Sequence, residues 1–139
     1  MAVNYLSVFN DQFFEMMEDI IRLFPEKKGL KTSKQVFEAA RRMNPKIIMD
    51  MLNIYLLKPY EQQILSDDFD FFINKDYTQD IAIIPRGDAI KSTDENILRG
   101  IESIRRPLNE LPDEDKLKML QYYKNLIQLT TLYETSRHR

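Results

Sequence analysis

Apolar side chains recur at steps of three and four residues along much of this 139-residue chain. Between residues 4 and 24 the recurring apolar positions are Leu6, Phe9, Phe13, Met16 or Met17, Ile20 and Phe24. Such steps place side chains on one side of an α-helix. The chain also has only 3 glycines, too few for the tight turns of a hairpin-rich β protein. Both features predict an all-α fold.

The same spacing, together with proline and capping signals, divides the chain into five to six helices. We expect one compact bundle over residues 1–139 with one irregular loop at about 75–92. A loop around Gly29, at 26–32, should precede a short helix capped by Thr32 or Ser33. The predicted helices lie at about 4–24, 34–43, 45–57, 66–77, 92–106 and 113–135.

The helices predicted at 45–57 and 113–135 are apolar on more than one side. We expect 45–57 in the centre of the bundle, with 113–135 packed across it. Short helices in a chain of this length do not obviously bury both surfaces, and methionine and aromatic side chains also build partner grooves. The sequence therefore predicts a protein partner or a homo-oligomer.

Several kinds of chemistry lack the residues they need. The chain has no cysteine, which removes disulfides, thiolate zinc sites and cysteine nucleophiles. Its one histidine, His138, is the second residue from the end, where catalytic orientation is hard to maintain. No phosphate-binding glycine loop or zinc-protease motif occurs. We therefore predict no enzyme, no catalytic residue and no cofactor, although carboxylate or lysine catalysis would leave no spacing signature.

An acidic stretch is the strongest metal candidate, since closely spaced carboxylates suit hard cations. Its second half begins like an EF-hand loop, but Gln79 and Pro85 stand where that loop needs glycine and glutamate. We predict no metal site and treat the stretch as a candidate acidic contact surface. Its residues are Asp67, Asp68, Asp70, Asp76 and Asp80.

A basic stretch precedes the acidic one. Residues 25–58 carry eight Lys/Arg and three acids, a net charge of +5, whereas residues 59–96 carry three Lys/Arg and nine acids, a net charge of −6. The two stretches could pair head-to-tail between copies. The alternative is a nucleic-acid contact along Lys27–Lys46. The candidate basic contact surface consists of Lys27, Lys28, Lys31, Lys34, Arg41 and Arg42.

The N-terminus lacks the pattern of a secretory signal, and no run approaches the length of a membrane span. These absences predict a soluble, intracellular protein without a membrane partner.

Several stretches carry a resemblance to known proteins: FNDQFFEMMEDIIRLFP at 9–25, MNPKIIMDML at 43–52, KPYEQQI at 58–64 and DFFINKDYTQDI at 70–81. With the closing helix after NELPDEDK, this order resembles small helical proteins of unknown function encoded by large DNA viruses of algae and amoebae. The resemblance implies a viral origin and a place in the virion or host cytoplasm. It carries over no catalytic residue. The resulting hypothesis is a non-enzymatic structural or interaction protein, such as a small virion or assembly component.

Overall fold

A computed structural model describes residues 4–58, 60–66, 68 and 92–137. The described residues form six α-helices, a π-helical turn and a 3-10 helix, without a strand, so the all-α prediction is confirmed. The predicted fourth helix and the predicted loop at about 75–92 lie almost entirely outside the described residues. The elements are α1 (Tyr5–Leu23), α2 (Lys28–Met43), α3 (Ile47–Leu52), the π turn (Asn53–Leu57), α4 (Glu61–Leu65), α5 (Ser92–Arg105), the 3-10 helix (Arg106–Glu110) and α6 (Asp113–Arg137).

Helix α1 lies between α2 and α6. Asn4 caps it, because its side-chain oxygen accepts a hydrogen bond of 3.0 Å from the Ser7 N–H. Asp19 of α1 meets Lys118 near the start of α6, and Gln12 meets Asn125 further along, so these two helices run antiparallel. The predicted apolar stripe of α1 is confirmed: its buried members are Phe9, Phe13, Met16, Met17, Ile20 and Phe24.

Helix α2 begins at Lys28, so the predicted loop over residues 26–32 is wrong from residue 28 onwards. Gly29 lies in the first turn of the helix, and Leu30 beside it is buried in the core. Burial of a leucine contributes about 1.5–3 kcal/mol, which exceeds the cost of about 1 kcal/mol for a helical glycine. Ser33, predicted as a cap, is instead buried, and its hydroxyl lies 2.6 Å from that of Ser103 in α5.

Helices α2 and α5 approach each other closely at Gly100. A Cβ atom at this position would lie 2.9 Å from the ring of Phe37. That ring is fully buried and packs edge-on against Phe13 of α1, with ring centroids 4.8 Å apart. The three helices α1, α2 and α5 are therefore connected through one aromatic contact in the core.

The segment after α2 buries most of its apolar side chains, as predicted for residues 45–57, but the predicted single α-helix covers only α3 and continues as the π turn. Asn44 ends α2, and its side-chain oxygen accepts a hydrogen bond from the Lys46 N–H before α3 begins at Ile47. Helix α3 packs against α1, α2 and α5, and the π turn packs against α6. Ile54 of this segment is 57% exposed, whereas the buried apolar side chains are Ile48, Met49, Met51, Leu52, Leu56 and Leu57.

Helix α6 buries two sides within the chain. It packs against α1 on one side and against α4, the π turn and the 3-10 helix elsewhere. The apolar surface that the sequence assigned to a partner is thus largely covered by this chain's own elements. The buried side chains of α6 include Met119, Leu120, Tyr122, Tyr123, Leu126 and Ile127.

Candidate functional site

The surface between α1 and α2 contains a long groove. Three adjoining depressions share lining residues and so form one feature, here called the α1–α2 groove. Because the chain turns back after α1, the start of α2 lies beside the end of α1. The lining residues are Asn4, Leu6, Ser7, Asn10, Phe14, Glu18, Ile21 and Arg22 from α1 and its cap, and Lys31, Lys34, Gln35, Glu38, Arg41, Arg42 and Pro45 from α2 and the turn after it.

Lys34 lies in the middle of the groove between two carboxylates. Its ammonium group is 3.2 Å from the Glu18 carboxylate of α1 and 3.7 Å from the Glu38 carboxylate one turn further along α2. Both acids are exposed, so these ion pairs contribute little to stability. Their effect is to place two negative charges in the middle of a groove whose other charged lining residues are all cations.

Arg41 lies against an aromatic side chain further along the groove. Its guanidinium is 5.5 Å from the centre of the Phe14 ring and donates a hydrogen bond of 3.1 Å to Asp11. Phe14 and Ile21 are half-buried and pack against the core, so the floor of the groove is partly apolar. The groove thus combines a hydrophobic floor with charged sides.

The lining is electropositive in an acidic protein. Five cationic side chains and two carboxylates give the lining itself a net charge of +3, although the whole chain carries −2. Asp11 and Asp19, which pair with Arg41 and Arg22 from outside the lining, reduce the net charge of the groove to +1. Lys31 and Arg42 lie towards opposite ends of the groove, and neither forms an ion pair with any residue that the structure describes. These two cations are available to an external group.

Below one end of the groove, a carboxylate is buried between α1 and α6. Asp19 is 6% exposed, accepts a hydrogen bond from the Tyr122 hydroxyl and pairs with Arg22 and Lys118. The Lys118 ammonium is 3.3 Å away. Burial raises the pKa of the Tyr122 hydroxyl above its usual 10.0, the Glu15 carboxylate raises it further, and Arg22 partly offsets both. This cluster joins two helices that are distant in sequence.

Asn10 is the second buried polar side chain of α1 and lies at the other end of the groove. Its amide nitrogen donates a hydrogen bond of 2.9 Å to the Pro45 carbonyl, which fixes the turn after α2 against α1. Sequence reasoning missed Asn10 and Asp19. Their positions could have identified them, because each falls beside the apolar stripe of α1 at helical spacing.

The structure divides the predicted basic surface. Lys31, Lys34, Arg41 and Arg42 line the groove together, whereas Lys27 and Lys28 do not. Lys27 instead pairs with Glu110 of the 3-10 helix at 3.2 Å and lies 5.7 Å from the centre of the Phe24 ring. Four of the six predicted basic residues therefore belong to one surface.

Only one residue of the predicted acidic surface can be located. Asp68 is exposed, and its N–H donates a hydrogen bond to the Gln63 carbonyl. The other predicted acidic residues lie outside the described part of the chain. They are Asp67, Asp70, Asp76 and Asp80.

A different acidic surface lies at the start of α6. Asp113 and Glu114 are exposed, and neither pairs with a cation among the described residues. Leu117, one turn later, is 60% exposed. Acidic side chains in the first turn of a helix interact favourably with the positive end of its dipole.

Within the described ranges, no three histidine, cysteine, aspartate or glutamate side chains lie close enough to hold a metal ion. None of the helices searched there has the length and apolarity needed to cross a membrane.

The fold and the groove define an all-α bundle with a charged surface between its first two helices. In comparisons with known proteins, the chain matches no family model, no curated protein and no solved structure.

Proposed function

We propose that this chain is a non-enzymatic interaction protein that binds a protein partner through the α1–α2 groove. The observation that supports this most directly is the mixed lining of the groove, where cations towards both ends flank the acids beside Lys34, over the half-buried Phe14 and Ile21. The surface of a protein partner can match this pattern by placing acidic groups opposite the two ends of the groove and apolar groups opposite its floor.

The same pattern disfavours the alternative of a nucleic-acid contact. A nucleic acid presents phosphates at regular short intervals and is bound by a concentrated positive surface. In the α1–α2 groove, Glu18 and Glu38 would face those phosphates. Three of the six predicted basic residues are also paired with acids, namely Lys27, Lys34 and Arg41.

The resemblance to small helical proteins of large DNA viruses supports a viral setting for this interaction. We propose the virion or the infected host cytoplasm as the place where the partner is met. Mass spectrometry of purified virions, compared with infected-cell lysate, tests this setting. Detection in neither sample would contradict it.

A site-specific crosslinking experiment tests the binding surface. A photoreactive amino acid at Gln35, which lines the groove, should capture a protein, whereas the same group at the exposed Gln128 of α6 should not. Nuclease treatment should leave the Gln35 product intact. Equal capture from both positions would overturn the proposal, and a product removed by nuclease would favour the nucleic-acid alternative.

A further inference from the structure

We infer that the protein partner is a second copy of this chain, whose α6 N-terminus docks against the Arg42 end of the α1–α2 groove. This inference rests on the proposed function, because it names the partner of the same groove. The docking element, here called the α6 tip, consists of Asp113, Glu114 and Leu117. Its counterpart, here called the groove tail, consists of Leu6, Ser7, Arg41, Arg42 and Pro45.

The α6 tip presents acids and one apolar side chain together. Residues three and four apart lie on the same side of a helix, so Leu117 stands beside both Asp113 and Glu114. All three side chains are exposed, and the two acids are unpaired within the described chain. An exposed leucine next to two free carboxylates matches a surface that combines free cations with apolar groups.

The groove tail offers that combination. Arg42 is exposed and unpaired within the described chain, whereas Arg41 beside it pairs with Asp11. Leu6 contributes a half-buried apolar side chain, and Met43, next to Arg42, is 76% exposed. The first N–H groups of α1 lie at this end too and add positive potential. Both the charges and the apolar groups of the two surfaces are complementary.

The two surfaces lie at opposite ends of the bundle. Lys118 meets Asp19 and Lys27 meets Glu110, which places the α6 tip beside the end of α1. Asn10 meets Pro45, which places the groove tail beside the beginning of α1. A copy cannot bring its own tip to its own tail, so the contact joins two copies head-to-tail. Such a heterologous contact repeats and gives chains or rings.

Charge reversal with complementation tests the pairing. Sedimentation velocity over roughly a hundredfold range of concentration should show association of the full chain that weakens with salt. Arg42→Glu and Glu114→Arg should each weaken association about tenfold or more, because each places like charges opposite one another. An equimolar mixture of the two variants should restore association, since each variant carries the complement of the other.

Matched controls separate this contact from general effects of charge and hydrophobicity. Arg99→Glu changes an exposed cation that belongs to neither surface and should leave association unchanged. Leu117→Ser should weaken association, whereas Leu132→Ser, on the same helix, should not. Circular dichroism of each variant confirms that the helices have formed.

Two results would overturn the inference. One is a monomer at every concentration and salt, and the other is association that persists in both reversed variants or fails to return in their mixture. If the protein is a monomer but Gln35 still crosslinks to another protein, self-association is refuted and the proposed function stands. If the protein is a monomer and Gln35 gives no crosslink, the proposed function is refuted too.

Discussion

At the scale of single residues, Gly100 and Gly29 both lie in helices but have opposite surroundings. Apart from its chain neighbours and the backbone of its own helix, nothing lies within 4 Å of a Cβ built at Gly29, whereas one built at Gly100 meets the Phe37 ring at 2.9 Å. Phe37 cannot yield easily, because its ring is buried and packs against Phe13. The glycine at position 100 is therefore required by the distance between α2 and α5.

Replacing Gly100 by alanine should destabilise the protein by about 1–3 kcal/mol, because the added methyl group overpacks the core. Gly29→Ala is the matched control and should be neutral or stabilising by up to about 1 kcal/mol, since alanine favours a helix. Urea unfolding of both variants measures the difference. Equal stability of the two variants would contradict the close approach of α2 and α5.

Tyr122→Phe should destabilise the protein by about 1–2 kcal/mol, because the buried Asp19 carboxylate loses a hydrogen-bond donor. Tyr133→Phe serves as the control, because this hydroxyl contacts only the exposed Arg137 among the described residues. Thermal unfolding at neutral pH compares the two. If both variants had the same melting temperature, the hydrogen bond between Tyr122 and Asp19 would not stabilise the contact between α1 and α6.

The raised pKa of Tyr122 predicts a loss of stability in alkali. In the folded protein the hydroxyl keeps its proton above pH 10.0, where an unfolded tyrosine loses it. This contribution is complete below about pH 10 and is lost as the pH rises from there through the folded pKa. The stability difference between the native protein and Tyr122→Phe should therefore shrink from about pH 10 upwards. A constant difference from about pH 8 to about pH 11 would contradict the shift.

Asp19 shows what sequence reasoning can detect at this scale. Its place beside the apolar stripe of α1 marks it as buried or half-buried. Its partners cannot be inferred, because Tyr122 lies 103 residues away and only the antiparallel packing of α1 and α6 brings them together. The Ser33–Ser103 contact cannot be inferred either, because it depends on how α2 packs against α5.

At the scale of elements, α6 carries leucines in opposite environments. Leu126 is fully buried, whereas Leu117 is 60% exposed. Leu126→Ala should cost about 2–5 kcal/mol through lost burial and a cavity, and Leu117→Ala should change stability by less than about 0.5 kcal/mol. Chemical unfolding of both variants checks this. Similar losses would mean that Leu117 is also buried, which the structure excludes within one chain.

Most of the described helices were predictable, but α4 was not among the predicted helices and the start of α2 was misplaced. The spacing located α1 and α6 to within about two residues, which is the usual uncertainty of helix ends. It missed the first six residues of α2, because Gly29 and the polar residues around it resemble a loop. Burial of Leu30 against the rest of the bundle overrides that local preference.

At the scale of the whole molecule, the buried apolar side chains form one cluster that includes members from every described element. Unfolding should therefore occur in a single cooperative transition. Far-UV circular dichroism and tyrosine fluorescence should give coincident curves in urea. A second transition, or curves that separate, would show that part of the bundle unfolds independently.

The candidate site was only partly predictable. The sequence identified an excess of basic residues between Lys27 and Lys46, and four of the six candidates indeed share the α1–α2 groove. It could not place Glu18 of α1 beside Lys34, because that contact depends on how the two helices pack. This neighbour changes the site from a basic surface to one of mixed charge.

The sequence by itself determined the fold class and most of the helices, because apolar spacing, proline and glycine act over a few residues. It also determined which kinds of chemistry lack the residues they need, because the composition can be read without a structure. Only the tertiary structure decided which sides of α6 face the core, which cations remain unpaired and where the two unpaired acids at the start of α6 lie relative to Arg42. Those properties depend on contacts between helices far apart in sequence, and no local pattern specifies them.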